Sequence, residues 1–281
     1  MREDGYKLNK LQSVGLNILK EIDRICKKNG LTYYIYGGSL LGAYRHQGFI
    51  PWDDDVDIAM TRKDFEKLKK LQSELPDYMF LDTIQRKGHQ WTAAHIVDTR
   101  YELEVGNGLK RVRMNVWVDI LIIDGVPKPG TLKYKLFSLV YLYARLMYKF
   151  SNFSNEVDMK KQRSAIESFF IKFAKFTHIE KIINQHLAGC FLDWVSRRFD
   201  VDQCDYVATL GGSLKMDETM PKSWFGNKRY FQFEDMHVLG MDETEKFLIK
   251  IYGESYMTPP PENMRNQHNV KIIENNVEQQ N

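Results

Sequence analysis

The chain has 281 residues, 43% of them hydrophobic, with 40 Lys and Arg against 37 Asp and Glu and a formal net charge of +3. At about 100–200 residues per domain this length can bury a sizeable core, and the hydrophobic content excludes a wholly disordered chain. So even a charge balance also excludes a protein built to coat nucleic acid, which would carry a clearly basic domain.

Charged residues from Arg2 to Lys28 interrupt any apolar signal-peptide core, which points to a cytoplasmic chain. Leu8, Leu11, Val14, Ile18, Leu19, Ile22 and Ile25 recur at three- and four-residue steps, the stripe of an amphipathic helix that Asn29-Gly30 stops. Thr32–Tyr36 is β-branched and aromatic and reads as a strand; Gly37-Gly38-Ser39 breaks it, and Leu40–His46 reads as a short helix. Val56–Met60 is a second strand. Thr61 then caps a helix whose third residue, Asp64, is acidic; Phe65, Leu68 and Leu71 share one face, and the helix stops before Pro76. Tyr78–Ile84, Ala93–Asp98 and Val112–Ile123 read as strands, with Asp124-Gly125 and Pro127 as the turn that ends the last.

From Thr131 to about Phe199 the spacing turns helical and aromatic: Leu136, Phe137, Val140 and Tyr141, then Ile166, Phe169, Phe170 and Phe173, then Ile182, Ile183, Leu187, Phe191 and Trp194. The expected class is α+β: a mixed sheet with flanking helices in one domain over residues 1–269, a helical insertion at about 129–200, and a polar tail over 270–281. The most apolar stretch, Leu132–Phe150, is cut by Lys133, Lys135, Arg145 and Lys149, and its charge-free part, Leu136–Ala144, falls short of the roughly twenty residues that span a bilayer. It reads either as a core helix with solvated lysines or as an interfacial helix in peripheral contact with a membrane. Cys26, Cys190 and Cys204 have no C-x-x-C spacing, so neither a disulfide framework nor a zinc knuckle is expected.

The segment Tyr36–Met60, YGGSLLGAYRHQGFIPWDDDVDIAM, packs Asp53, Asp54, Asp55 and Asp57 into five positions. Side chains alternate along a strand, so Asp55 and Asp57 share a face while Val56 and Ile58 turn into the core. An acidic run is often only a solvated turn. Here Ile50, Pro51 and Trp52 precede it and an apolar strand follows, and carboxylates so close repel unless a hard cation lies between them: Mg²⁺, or alternatively Mn²⁺. Gly37, Gly38 and Ser39 enter a helix whose free N–H groups suit a phosphate, although Ser39 could equally be a plain cap. Arg45 is a natural charge partner for that phosphate, and His46 either contacts substrate or closes the helix. Asp119 is the expected third acid, because it interrupts the apolar run Val116–Ile123 where an unpaired carboxylate is costly.

These residues resemble the LicD family of phosphotransferases, related to the fukutin-related proteins. The resemblance lies in GGSLLGAYRHQGFIPWDDDVDIAM at Gly37–Met60, VDILIIDGVP at Val118–Pro127, WFGNKRYFQFE at Trp224–Glu234 and YGESYMTPPPENMRNQH at Tyr252–His268. It implies a nucleotidyltransferase-like fold and a cytidine-diphosphate donor, typically CDP-choline, whose phosphocholine passes to a hydroxyl of teichoic acid, lipopolysaccharide or capsule. CDP-ribitol is the donor in related members. By position it makes Asp55, Asp57 and Asp119 the metal ligands and catalytic acids, sets Gly38 and Ser39 toward the donor phosphates, and leaves Asp53 and Asp54 for folding or acceptor contact. No cysteine cluster matches the zinc-binding loop of some animal relatives. Nucleotidyl transfer and a non-catalytic glycan-binding module are the competing readings. Trp224, Phe225, Tyr230, Phe231 and Phe233 are expected in the core or a packed hairpin, and Tyr252, Tyr256 and Pro259–Pro261 against the sheet. Arg265 and His268 are either structural or within reach of the site.

Overall fold

The computed structural model describes residues 7–86, 88, 89, 91–105, 112–153, 171, 176–212, 215–262, 265 and 271–273. Helix α1 (Lys10–Asn29) opens with a reciprocal cap: the Asn9 side chain accepts the Gln12 N–H, and the Gln12 side chain accepts the Asn9 N–H at 3.0 Å. It ends on Gly30 at φ +64°, a left-handed stop that favours glycine. Its buried stripe, Val14, Ile18, Leu19, Ile22 and Ile25, lies on the sheet.

β1 (Tyr34–Ile35) is shorter than the predicted strand, and α2 (Gly37–His46) begins on the glycines rather than after them. Gly37 enters the helix at φ +53°, which a residue with a side chain adopts only at a cost. β2 (Asp57–Thr61) leads directly into α3 (Arg62–Lys70), where Thr61 caps the Asp64 N–H as its spacing predicts. β3 (Met79–Asp82), β4 (Ala94–Val105) and β5 (Val112–Val126) complete the first half of the sheet.

β5 is the central strand. β2 lies parallel along one edge, with Asp57 level with Asp119 and Ile58 with Ile120. Along the other edge run β4 and then β6 (Tyr206–Thr209), both antiparallel. β7 (Met220–Pro221) pairs with β6, and β3 and β10 (Lys271–Ile273) with β4. The tail expected from residue 270 therefore contributes an edge strand. Asp124-Gly125 is not the predicted turn, since β5 continues through both. Arg62 pairs with Asp124 from α3, and a Cβ on Gly125 would sit 2.7 Å from the Asp200 carbonyl, so tertiary packing overrides the local turn preference.

α4 (Leu132–Ser151), α5 (Ile179–Ile182) and α6 (Gln185–Ser196) form the helical layer. Phe137, Tyr141, Ala144 and Tyr148 of α4 meet Ala188, Leu192 and Val195 of α6 over a second core under the sheet edge. The predicted stripe Ile166–Phe173 falls largely outside the described residues. β8 (Arg229–Phe233) and β9 (Met236–Gly240) form a hairpin in which Phe233 is fully buried while Tyr230 is exposed. α7 (Thr244–Tyr252) follows, buried through Phe247 and Leu248. The described residues thus form a mixed sheet with seven helices.

Candidate active site

The parallel β2–β5 pair positions the acids. The Asp119 N–H donates to the Val56 carbonyl (2.9 Å) and the Tyr36 N–H to the Asp57 carbonyl (3.0 Å), which locks both strand starts. Val56 and Ile58 are buried below, as the alternation requires, and the carboxylates of Asp55, Asp57 and Asp119 converge above with one oxygen from each within 4.8 Å of the others.

The glycine turn underlies this cluster. A Cβ on Gly37 would lie 2.7 Å from Asp57 Oδ2, and one on Gly38 would lie 2.8 Å from Asp53 Oδ2, so both glycines leave space for carboxylates at the positive start of α2. Ser39 is not the cap, a position that Tyr36 holds; its hydroxyl instead accepts the Asp57 N–H at 2.9 Å. Asp53 is tied to α1 through its carbonyl, which accepts from Gln12 Nε2 at 2.7 Å.

Burial pushes the Asp57 carboxyl well above the usual aspartate range, and the charges of Asp55, Asp119, Asp53 and Glu218 raise it further. Among the described residues no basic side chain lies within ion-pair distance of it. Such a group suits a hard cation, because three carboxylate oxygens converge on one point. Glu218 is itself buried and accepts hydrogen bonds from the Tyr36 and Thr209 hydroxyls.

Asp119 is supported from two sides. Trp117 Nε1 donates to Oδ2 at 3.2 Å, and His95 Nε2 lies 2.9 Å from Oδ1, off the line of a well-directed hydrogen bond. The His95 ring is buried, stacked on Trp117 and tilted against Trp91. Behind it His89 Nδ1 is 3.1 Å from Asp82 Oδ2. Sequence reasoning gave no site role to any of these five residues, nor to Glu218; the only local signal was a histidine within the predicted strand Ala93–Asp98.

A cleft of about 730 Å³ opens over the acids, lined on one side by Gly38, Asp53, Asp55 and Asp57 and on the other by Tyr252, Tyr256 and Pro259–Pro261. The C-terminal segment, expected against the sheet, is therefore a wall of the cleft. Arg45 also lines it, yet its Nη1 donates to the Tyr256 carbonyl at 2.6 Å and its Nε to His46 Nε2 at 2.9 Å, so it ties that wall to α2. His46 is buried beside Trp52, and burial, then the Arg45 charge, push it down to about 4, which keeps it neutral. Neither His46 nor Asp54 is among the described residues lining the cleft. The Arg265 guanidinium lies 4.2 Å from the Trp52 ring centroid at the cleft rim, and His268 is outside the described residues.

Residues 30–131, which carry the acids and both paired strands, match the family model described as LicD/FKTN/FKRP, nucleotidyltransferase domain. That segment is similar to the LicD nucleotidyltransferase domain. Similarity extends well beyond that domain to the lipopolysaccharide cholinephosphotransferase LicD of Haemophilus influenzae, 29% identical over 271 residues, or 94% of this chain and 96% of that one. The human ribitol 5-phosphate transferase FKRP is 39% identical over 61 residues, 20% of this chain and 12% of that protein. An uncharacterized protein of Rickettsia typhi, RT0683, is 40% identical over 60 residues, covering 21% of this chain and 19% of that one. The matched segment ends at the start of the helical layer, so the C-terminal wall of the cleft lies outside it.

Proposed function

We propose that the protein is a metal-dependent transferase that moves phosphocholine from CDP-choline to a hydroxyl of a cell-surface glycan such as lipopolysaccharide, teichoic acid or capsule, free or lipid-linked, and releases CMP. The observation that carries this reading is the convergence of Asp55, Asp57 and Asp119 beneath a cleft, in a segment similar to the LicD nucleotidyltransferase domain. The acceptor oxygen attacks the alcohol-bearing phosphorus; the bond from that phosphorus to the bridging oxygen breaks, and CMP leaves with the bridging oxygen. Asp55, Asp57 and Asp119 would hold Mg²⁺ or Mn²⁺, which would supply positive charge to the phosphate oxygens.

The chain's own groups do the rest. Trp117 and His95 hold Asp119 in place. Gly37 and Gly38 admit the carboxylates close to the α2 start, and the first-turn N–H groups of Gly38 and Ser39 lie beside the donor phosphates. One of the acids lining the cleft, Asp53 among them, accepts the hydroxyl proton. Arg45 holds the C-terminal wall against α2, and that wall limits water access. We place the reaction in the cytoplasm, where nucleotide-activated donors are made.

The similarity to FKRP favours a second reading, transfer of ribitol phosphate or glycerol phosphate from the corresponding CDP donor. A donor screen with CDP-choline, CDP-ribitol and CDP-glycerol, Mg²⁺ or Mn²⁺ and a candidate glycan separates the readings by the mass added to the glycan and the nucleotide released. CMP release with a phosphocholine-sized increment supports the proposal. A nucleotidylated acceptor would mean nucleotidyl transfer, and no turnover with any donor would leave a glycan-binding module.

A further inference from the structure

We infer that the outer face of the helical layer docks on an anionic lipid bilayer, with α4 lying in the headgroup region. Of the fifteen large hydrophobic side chains exposed among the described residues, eleven lie between Leu132 and Trp194. Seven belong to α4: Leu132, Leu136, Leu139, Val140, Leu142, Tyr143 and Leu146, the first 72% and the third 66% exposed. At 3.6 residues per turn they fill one continuous arc of about 160°, opposite the arc of Phe137, Tyr141, Ala144 and Tyr148 that packs on α6. The helix is thus apolar on both sides, and among the described residues only one side has a protein partner. Leu187 and Trp194 extend the exposed face onto α6, with Tyr143, Phe191 and Trp194 forming an aromatic ladder at centroid distances of 6.5 and 6.1 Å. Isolated soluble proteins rarely expose so large a contiguous apolar patch.

Charge selects the occupant. α4 has four basic residues and no acid; Lys133 and Lys149 fall at the margins of the exposed arc and Lys135 just inside it, where their stems can follow the apolar surface and their ammonium groups can reach phosphates. On α6 the acid Asp193 is already paired with Arg62 and Arg197. Arg198 lies 4.0 Å from the Trp194 ring centroid at the same rim. A second copy placed against this face would set lysine against lysine, whereas an anionic headgroup layer presents the opposite charge. Tyr143 and Trp194 are residue types that settle at a membrane interface.

The inference does not depend on the donor or acceptor proposed above, and its test involves no turnover. The full chain is sedimented with vesicles of phosphatidylcholine alone or mixed equally with phosphatidylglycerol, at low and raised salt. The expected result is about tenfold greater binding to the anionic vesicles, weakened by salt. Leu136→Gln with Leu139→Gln, both exposed, should abolish binding while leaving the circular dichroism spectrum unchanged, and Lys133→Gln with Lys135→Gln should weaken it on anionic vesicles. Absence of pelleting with anionic lipid overturns the inference. So does a dimer by light scattering that the leucine variants make monomeric, which would assign the face to a second copy. A large loss of thermal stability in the leucine variants with vesicle binding unchanged would mean that the face is covered from within the chain.

Discussion

Replacing Asp57 with Asn tests the electrostatics of the acid cluster apart from turnover. Asp57 shares its site with Asp55 and Asp119 at ligand-atom separations within 4.8 Å, and at an effective dielectric constant of about 20 each such ionised pair repels by about 3.5 kcal/mol. Protonation of Asp57 itself absorbs part of this, because its native carboxyl holds the proton well above the ordinary value. A residual of about 2 kcal/mol at about pH 7.5 is a reasonable order of magnitude, and in a chain of this size it corresponds to about 3–6 °C in Tm. The sign is fixed by linkage. A carboxyl with a raised native pKa contributes stability that is fully present below the ordinary aspartate value of 3.8 and is lost as pH rises through the native value, so the cation-free protein weakens toward neutral pH. Asp57→Asn should therefore melt higher than the parent in EDTA at neutral pH, with a flatter pH dependence, and should gain nothing from Mn²⁺ although the parent does. Calorimetric melting from mildly acid to neutral pH and Mn²⁺ titration provide both readouts. A variant that melts no higher than the parent in EDTA, or that binds Mn²⁺ with parental affinity, would refute the reasoning.

Gly37→Ala introduces a Cβ 2.7 Å from Asp57 Oδ2 at a backbone φ of +53°; a cost of about 1–2 kcal/mol in urea unfolding and about tenfold weaker Mn²⁺ binding are expected. His95→Ala removes the group 2.9 Å from Asp119 Oδ1 and should weaken Mn²⁺ binding about 10–100-fold by calorimetry, with partial recovery in His95→Gln, whose amide retains a donor. Arg62→Ala leaves Asp124 buried without its partner and should cost about 3–5 kcal/mol by urea unfolding. Adding Asp124→Asn should restore part of that loss, since the uncompensated charge goes with it.

The parts of the fold governed by local chemistry were legible. Asn29-Gly30 stops α1, Thr61 caps α3, and the Val56–Ile58 alternation turns Asp55 and Asp57 to one face because these outcomes depend on residues a few positions apart. Asp119 stood out as a carboxylate in an apolar run. What brings it to Asp57 is the parallel pairing of β2 with β5, a contact across 62 positions that no short window encodes. His95, Trp117 and Glu218 were illegible for the same reason, since each matters only through what the sheet brings beside it. Asp124-Gly125 misled because a dipeptide that favours a turn in isolation is overruled by the Arg62 pair and by the backbone at Asp200. Nothing local marks Arg45 as the tie to the C-terminal wall, because its Nη1 donates to a carbonyl 211 positions away. For α4, apolar residues on both faces left core and interface both open, and only the packing of α6 showed which face is spent.

That bond from Arg45 to Tyr256 also sets an order of events during synthesis. A nascent chain that has grown through residue 131 possesses every acid of the cluster, but not the segment from Tyr252 to Pro261 that forms the opposite wall of the cleft. Contacts so distant in sequence form after local ones. The ribosome therefore carries the acids for about half the length of the chain before the cleft can be walled, and a truncated product would display the charged cluster without the enclosure that gives it a use.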